Sequence, residues 1–347
     1  MQDHKLIKVI LFSLVIIFFF IGIWGIGTYK KAYVPNVKLK KKEHTVFIPT
    51  GSTYEDVKKI FDNEKVLINP ETFDWAAIRK NYPRHVYPGR YVLKNRMSNN
   101  QLINMLRAGL QKPVYVTFNN IRFPEQMALT ISKQIEADSA SIMTLFRDVA
   151  FLKEHGFDYY TVKAMFIPNS YEFWWNTDAM GFFNRMKKEY EKFWTKERLN
   201  KAAAIGLTPA EVSTLASIVE EETRKDDEKS RIAGVYINRL AKGIRLQADP
   251  TIKYAMGNFN VSRILKHQLD VESPFNTYKN AGLPPGPIRI PSIVSINAVL
   301  DYEKHEYLYF CARADFSGYH EFAKSLEQHN RNARLYQRAL SRRRIYR

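Results

Sequence analysis

From Val9 to Thr28 the sequence reads "VILFSLVIIFFFIGIWGIGT", a run without a single charge. A helix of about 20 residues spans the hydrocarbon core of a bilayer, so this run constrains the chain more than any other. A cleaved signal peptide has a shorter apolar stretch, roughly 7–15 residues, and then a small-x-small site. Gly25 and Gly27 imitate that site poorly. Residues 1–29 are therefore expected to form a short tail and one uncleaved transmembrane anchor. Lys5 and Lys8 precede the span, whereas Lys30, Lys31, Lys38, Lys40, Lys41 and Lys42 come after it. By the positive-inside rule, that balance puts the C-terminal bulk in the cytoplasm.

The remainder is long enough, at 347 residues in all and 45% hydrophobic, to bury cores in two or three domains. A formal net charge of +18 implies an acidic partner: nucleic acid, anionic lipid or a carboxylate-rich polymer such as bacterial wall. Nucleic-acid-binding motifs, phosphate loops and dinucleotide glycine motifs are absent, so no nucleic acid partner is expected. The single cysteine, Cys311, excludes an internal disulfide and any cysteine-based metal cluster. His267, His305, His320 and His329 show no metal-ligand spacing, and no Ser-His-Asp or Cys-His signature accompanies them. Neither metal nor cofactor is expected.

Hydrophobic periodicity and turn residues divide the rest of the chain. Residues 30–44 read as a basic, proline-containing juxtamembrane linker. Residues 45–112 read as a compact β-α-α-β-like unit with an added helix, in which Ser52 or Thr53 caps the first helix. Residues 113–207 begin with the strand "VYVTF". They continue through a helix opened by Pro124, the aromatic loop "MFIPNSYEFWWNT" and the amphipathic helix "AMGFFNRMKKEYEKFW". In that loop Tyr171, Phe173, Trp174 and Trp175 either stack on sugar rings or pack in a core, and core is expected for at least two. In residues 208–347 a helix opens at Thr208-Pro209 with Glu211 completing a capping box. Another helix runs from Ile232 to Leu240 and a third from near Ser292 to Leu300. Beyond them lies a hairpin with Ser317-Gly318 at its turn, and the basic tail "RALSRRRIYR" ends the chain. The expected fold is α+β, with a helix-rich main domain and peripheral β-hairpins.

The helix opened at Thr208 ends in three glutamates, Glu220, Glu221 and Glu222. At about 100° per residue, Val212, Leu215, Ile218 and Val219 share one face, and Glu222 is the next position on that stripe. Glu220 and Glu221 point away and are expected in solvent. Two residues apart, Glu220 and Glu222 cannot work as a carboxylate pair. A carboxyl group on an apolar stripe is desolvated, which raises its pKa and suits a general acid. The alternative is that Glu222 merely ends the core and pairs with Arg224, Lys225 or Arg231. Downstream, "IRLQADPTI" alternates like a short strand. It places Gln247 and Asp249 side by side for hydrogen bonds to sugar hydroxyls or amides, unless Asp249-Pro250 simply starts a turn. In "SPFNTYKNAGLPPGPI", Asn276, Thr277 and Tyr278 are candidates for a cleft wall, with the prolines fixing its shape.

In order, "LASIVEEET", "VYINRL", "IRLQADPTI", "FNTY" and "GLPPGPI" resemble the motif series of the YceG-like endolytic murein transglycosylase family. The likeness runs over nearly the whole chain, in layout alone for the N-terminal half. It implies a membrane anchor, a LysM-like subdomain over residues 45–112 and a YceG-like catalytic domain over residues 113–347. The family's catalytic acid is the second glutamate of E-x-E-T, which falls on Glu222. Substrate-binding candidates are then Gln247, Asp249, Asn276, Thr277 and Tyr278, with Asn238 of "VYINRL" and Glu220 of the signature. The implied reaction cleaves MurNAc-β-1,4-GlcNAc bonds in nascent peptidoglycan strands, leaves 1,6-anhydroMurNAc ends and so terminates strand elongation. Stem-peptide carboxylates and anionic headgroups would be the acidic partners, and peptidoglycan synthases (penicillin-binding proteins) are associated with the family. It also implies an extracytoplasmic catalytic domain on the inner membrane, against the lysine balance. Two other readings remain: a hydrolytic muramidase using Glu222 and Asp249, and a non-catalytic peptidoglycan-binding scaffold.

Overall fold

The first helix, α1 (Gln2–Tyr33), does not stop where its apolar run stops. In this computed structural model, which describes residues 2–261 and 263–343, α1 contains the one single helix, Leu6–Tyr33, long and apolar enough to cross a membrane among the described residues. The segment after α1 is strapped down rather than slack. Asn36 and Val37 donate backbone hydrogen bonds to the Met97 carbonyl, and Val37 is buried. The Asn36 amide donates to Asn99 Oδ1 at 2.7 Å, and Asn99 in turn donates to the Lys31 carbonyl at the end of α1 at 2.9 Å. The lysine-rich segment expected as a linker is thus built into the unit that it leads into.

The chain divides into two compact units. The first holds α1, β1 (Glu43–Ile48), α2 (Tyr54–Asn63), α3 (Pro70–Arg79), β2 (Gly89–Lys94) and α4 (Asn99–Arg107). Strands β1 and β2 pair antiparallel with Val46 opposite Tyr91. Alternation sends Val46, Ile48, Tyr91 and Leu93 inward onto Val57, Phe61, Phe73 and Leu102. Thr53, rather than Ser52, caps α2, and its box is closed by Asp56; Ser98 and Gln101 do the same for α4.

Beyond it come β3 (Val114–Thr117), α5 (Pro124–Ser132), α6 (Ser139–Arg147), α7 (Val149–Glu154) and β4 (Ser170–Phe173), with β3 and β4 paired. Tyr171 and Phe173 are buried and Trp174 is exposed, while Trp175, which with the rest of Glu172–Thr177 belongs to the first unit, packs on Phe47. Next are α8 (Ala179–Phe193), α9 (Lys196–Ala204), α10 (Pro209–Glu222), α11 (Asp226–Ala241) and α12 (Asp249–Met256). The chain closes with α13 (Ile293–Leu300), the hairpin β5 (Tyr309–Ala312) and β6 (His320–Ala323), and α14 (Leu326–Arg342). The end of the basic tail, residues 344–347, lies outside the described residues. The whole is a helix-rich α+β structure.

The second unit is organised around α10. Its stripe, Val212, Leu215, Ile218 and Val219, is fully buried against Ile232 and Tyr236 of α11 and Ile296 and Val299 of α13. Ser217, also fully buried, accepts the backbone N–H of Ile288 at 3.0 Å and so pins the proline-rich loop to α10. The segment Ile244–Ala248 is not the strand expected from its alternation. Its backbone groups are taken by other partners: Arg239 binds the Arg245 and Leu246 carbonyls, while Thr277 bonds the Gln247 and Ala248 N–H groups. Gln247 is left-handed at φ 49°, and Asp249-Pro250 opens α12.

Gly234 of α11 sits where the chain passes over the helix: a Cβ there would lie 2.5 Å from the Glu303 carbonyl oxygen. Gly234→Ala is expected to destabilise the protein by about 1–3 kcal/mol through overpacking, despite alanine's higher helix propensity. Denaturant unfolding measures this; equal or higher stability would show that the 303–305 loop yields freely.

Candidate active site

The three glutamates at the end of α10 have three different environments. Glu220 accepts hydrogen bonds from the Ser292 N–H at 3.1 Å, from the Ser292 hydroxyl at 2.5 Å and from the Ser295 hydroxyl, with Lys229 Nζ at 3.7 Å. Burial works to raise its pKa, but these donors outweigh burial and hold the carboxyl below its usual range. Glu221 bridges two guanidinium groups, Arg122 at 2.7 Å and Arg289 at 2.5 Å. Both side chains are partly buried and held by partners, rather than solvent-facing as the helical wheel suggests. The wheel gives the direction of a side chain, but not the loops that close over it from positions 122 and 289–295.

Glu222 is the carboxyl that no basic group pairs with among the described residues. It continues the buried stripe and reaches the floor of a cleft of about 370 Å³ lined by Tyr236, Arg239, Gln247, Asp249, Tyr278 and His320, with part of the β5–β6 hairpin. The Tyr236 hydroxyl donates to Glu222 Oε1 at 2.6 Å. Burial dominates and pushes the Glu222 pKa up to about 7; the Tyr236 bond opposes the rise, and the charge of Asp249 adds to it. Held as an acid near neutrality, with one face open to the cleft, Glu222 can donate a proton to a bound ether oxygen.

Two supports stand around it. Tyr278 donates its hydroxyl to Asp249 Oδ1 at 2.6 Å, which fixes the second carboxylate of the cleft at the start of α12. On the hairpin side, Glu228 accepts from the His320 backbone N–H at 2.8 Å and bonds its Nδ1 at 2.7 Å. The ring edge of Phe310 packs between Tyr236 and His320.

The structure brings Glu222, Gln247, Asp249 and Tyr278 to one cleft. It does not bring Asn238, Asn276, Thr277 or Glu220 to that lining. Asn276 is fully buried and donates to the Leu269 and Val271 carbonyls, while its own side-chain carbonyl accepts from Tyr278 N. The Thr277 hydroxyl bonds Ala248 N and Thr251 Oγ1. Asn238 donates to the carbonyls of His305 and Tyr307. These three hold the loops that carry the lining residues. Tyr236, Arg239 and His320 were not singled out by the sequence. Tyr236 and Arg239 do lie within the quoted "VYINRL", one helical turn apart on α11. Among the described residues no three His, Cys, Asp or Glu side chains gather to hold a metal.

The raised pKa has a consequence for stability. The folded state keeps a proton on Glu222 up to about pH 7, whereas the unfolded chain releases it near 4.5. The folded state thus binds more protons over that window, and stability falls as pH rises through it. Glu222→Gln has no proton to lose. It is expected to unfold at higher denaturant than the wild type above pH 7, by about 1–3 kcal/mol, with the difference vanishing below pH 4.5. A pH-independent difference would contradict the assignment.

Comparison with known proteins fits this layout. The chain is 27% identical to the endolytic murein transglycosylase of Bacillus subtilis (strain 168) over 335 residues, covering 90% of this chain and 91% of the relative. It is also 27% identical to the protein of that name from Streptococcus pneumoniae serotype 2 (strain D39), and there spans 61% of the relative's length. A 2.6 Å crystal structure of a yceG-like protein from Listeria monocytogenes matches with a TM-score of 0.54 at 30% identity, covering 84% of this chain and 99% of that one. The YceG-like family model itself matches residues 46–335, most of the chain and all of the cleft, and the protein belongs to the YceG-like family.

Proposed function

We propose that the protein is a membrane-anchored lytic transglycosylase that cleaves the MurNAc-β-1,4-GlcNAc bond within peptidoglycan strands. The observation that carries this reading is Glu222: a carboxyl whose pKa burial raises, lining an open cleft, with no basic partner among the described residues. In this reading Glu222 protonates the glycosidic oxygen as the C1–O bond breaks. The resulting carboxylate, with Tyr236 donating to it, then accepts the proton of the C6 hydroxyl of the same MurNAc. That oxygen bonds C1 and closes the 1,6-anhydro ring. One carboxyl group suffices because the nucleophile belongs to the substrate. The relatives named endolytic murein transglycosylase support the substrate class and an attack within strands. A strand cut in this way near the membrane ends its own elongation. Helix α1 supplies the anchor, the catalytic unit lies outside the membrane where its polymer is, and the first unit serves as a LysM-like glycan-binding module.

The position of Asp249 favours a second reading. It shares the cleft with Glu222, and a second carboxylate that positioned water would make the enzyme a hydrolytic muramidase. End-group analysis by mass spectrometry separates the two. The transglycosylase is expected to leave 1,6-anhydroMurNAc ends, and reducing MurNAc ends would establish hydrolysis. Glu222→Gln is expected to lower turnover about 10²- to 10⁴-fold. Unchanged cleavage by that variant would remove Glu222 from the chemistry, and no cleavage by the wild type would favour a binding scaffold. Tyr236→Phe deletes a bond that lowers the Glu222 pKa, so the alkaline limb of kcat/KM, near pH 7 in the wild type, is expected to move upward. A downward shift would contradict the geometry.

A further inference from the structure

One charge in the cleft is not used by this chemistry. Arg239, on α11, is only 7% exposed. Its Nε donates to the Leu308 carbonyl at 2.6 Å, and its Nη1 donates to the carbonyls of Arg245 at 3.0 Å and Leu246 at 2.8 Å. The ring of Tyr309 lies 5.0 Å from the guanidinium carbon. These contacts orient the group but supply no countercharge, and among the described residues Arg239 has no carboxylate partner. A buried cation without an anion is costly to maintain.

The other terminal nitrogen, Nη2, has no partner among the described residues. It is also not sealed in the interior, and Arg239 lines the cleft. Gln247 sits beside it, with its Oε1 at 3.5 Å from Nη1. A guanidinium that served only to shape the 245–248 turn would be fully engaged through Nε and Nη1. The N–H groups of Nη2 are left over for a ligand of the cleft that Arg239 lines.

We propose that Arg239, with Gln247 beside it, forms a carboxylate-recognising subsite of the cleft, whose ligand is an acidic group on the muramyl substituent of the strand. The inference rests on the proposed substrate and adds to it a specificity. The strand is chosen by its substituent as well as its sugars, and the carboxylate fixes which muramyl residue stands over Glu222. Two sources offer this chemistry, the carboxylates of the stem peptide and the lactyl carboxylate exposed when the stem is removed.

The test uses the full-length wild-type protein in detergent micelles on three preparations of uncrosslinked strands: native, with stem carboxylates blocked as amides, and stripped of stems by an amidase. Blocking is expected to lower kcat/KM about 10- to 100-fold, the range of one charged hydrogen bond. Stripped strands as slow as blocked ones place the recognised group on the peptide. Stripped strands as fast as native ones show that the lactyl carboxylate suffices. Native and blocked strands cleaved alike by the wild type, with stripped strands no faster, would overturn the subsite while leaving the transglycosylase reading intact. No cleavage of any strand would overturn that reading and the subsite with it. Arg239→Gln, where thermal melting shows it folded, is expected to cleave native strands at the blocked rate and to be indifferent to blocking. Because the wild-type comparison stands alone, a variant that fails to fold leaves the test decisive.

Discussion

The hydrogen bond from Tyr236 to Glu222 depends on a constraint set by α10. A helix whose residues 212–219 are all buried cannot end in an unprotected carboxylate on its apolar face. Such a group must pair with a cation, hold a proton, or accept hydrogen bonds from neutral donors. Here burial favours the proton, and one donor, Tyr236, is supplied by the next helix at 2.6 Å. Tyr236 is itself buried, and its ionisation is pushed well upward by burial and by Glu222, so it remains a donor throughout the working range. The packing of α11 on α10 thereby fixes the carboxyl without removing its proton.

The glutamates before it make that state possible. Three carboxylates within one turn repel one another. Two are stabilised as carboxylates locally, Glu220 by serine hydroxyls, a serine N–H and Lys229, and Glu221 by two arginines. Arg122, Arg289 and Lys229 are thus engaged by its other two glutamates, and among the described residues no basic side chain forms an ion pair with Glu222. Asp249, bonded to Tyr278, lies in the same cleft, and its proximity raises the Glu222 pKa further. The linkages that hold Glu220 and Glu221 also tie α13 and two distant loops to the end of α10, so one cluster serves fold and acidity together.

Sequence range decides which of these features were legible beforehand. The capping box of Thr208 and Glu211, the apolar stripe and the place of Glu222 on it are set by residues within four positions of each other. The β-α-α-β order of the first unit is local in the same sense. The environments of Glu220 and Glu221 were not legible, because their partners lie about 70 to 100 residues away. The strand expected at "IRLQADPTI" failed for a similar reason: period-2 alternation describes side chains, whereas Arg239 and Thr277 had already taken the backbone groups that a strand partner needs. Asn276 and Thr277 looked like lining residues because amides and hydroxyls suit sugars. They suit a buried loop equally, and only burial tells the two uses apart.

One cleft is lined by a cation, Arg239, and by an acid whose pKa burial raises, Glu222, and the geometry explains why they do not simply pair. If the Arg239 guanidinium reached Glu222, it would favour the carboxylate and abolish the proton donor at neutral pH. The bonds from Nε and Nη1 to three backbone carbonyls prevent this by fixing the plane of the fork. A lysine, with a flexible stem and a single nitrogen, could not hold those carbonyls and still present free donors to the cleft. The same immobilisation that shapes the 245–248 turn thus keeps positive charge available to substrate and away from the acid. It also explains why the turn is irregular: as a strand, it would have had no carbonyls to spare for Arg239.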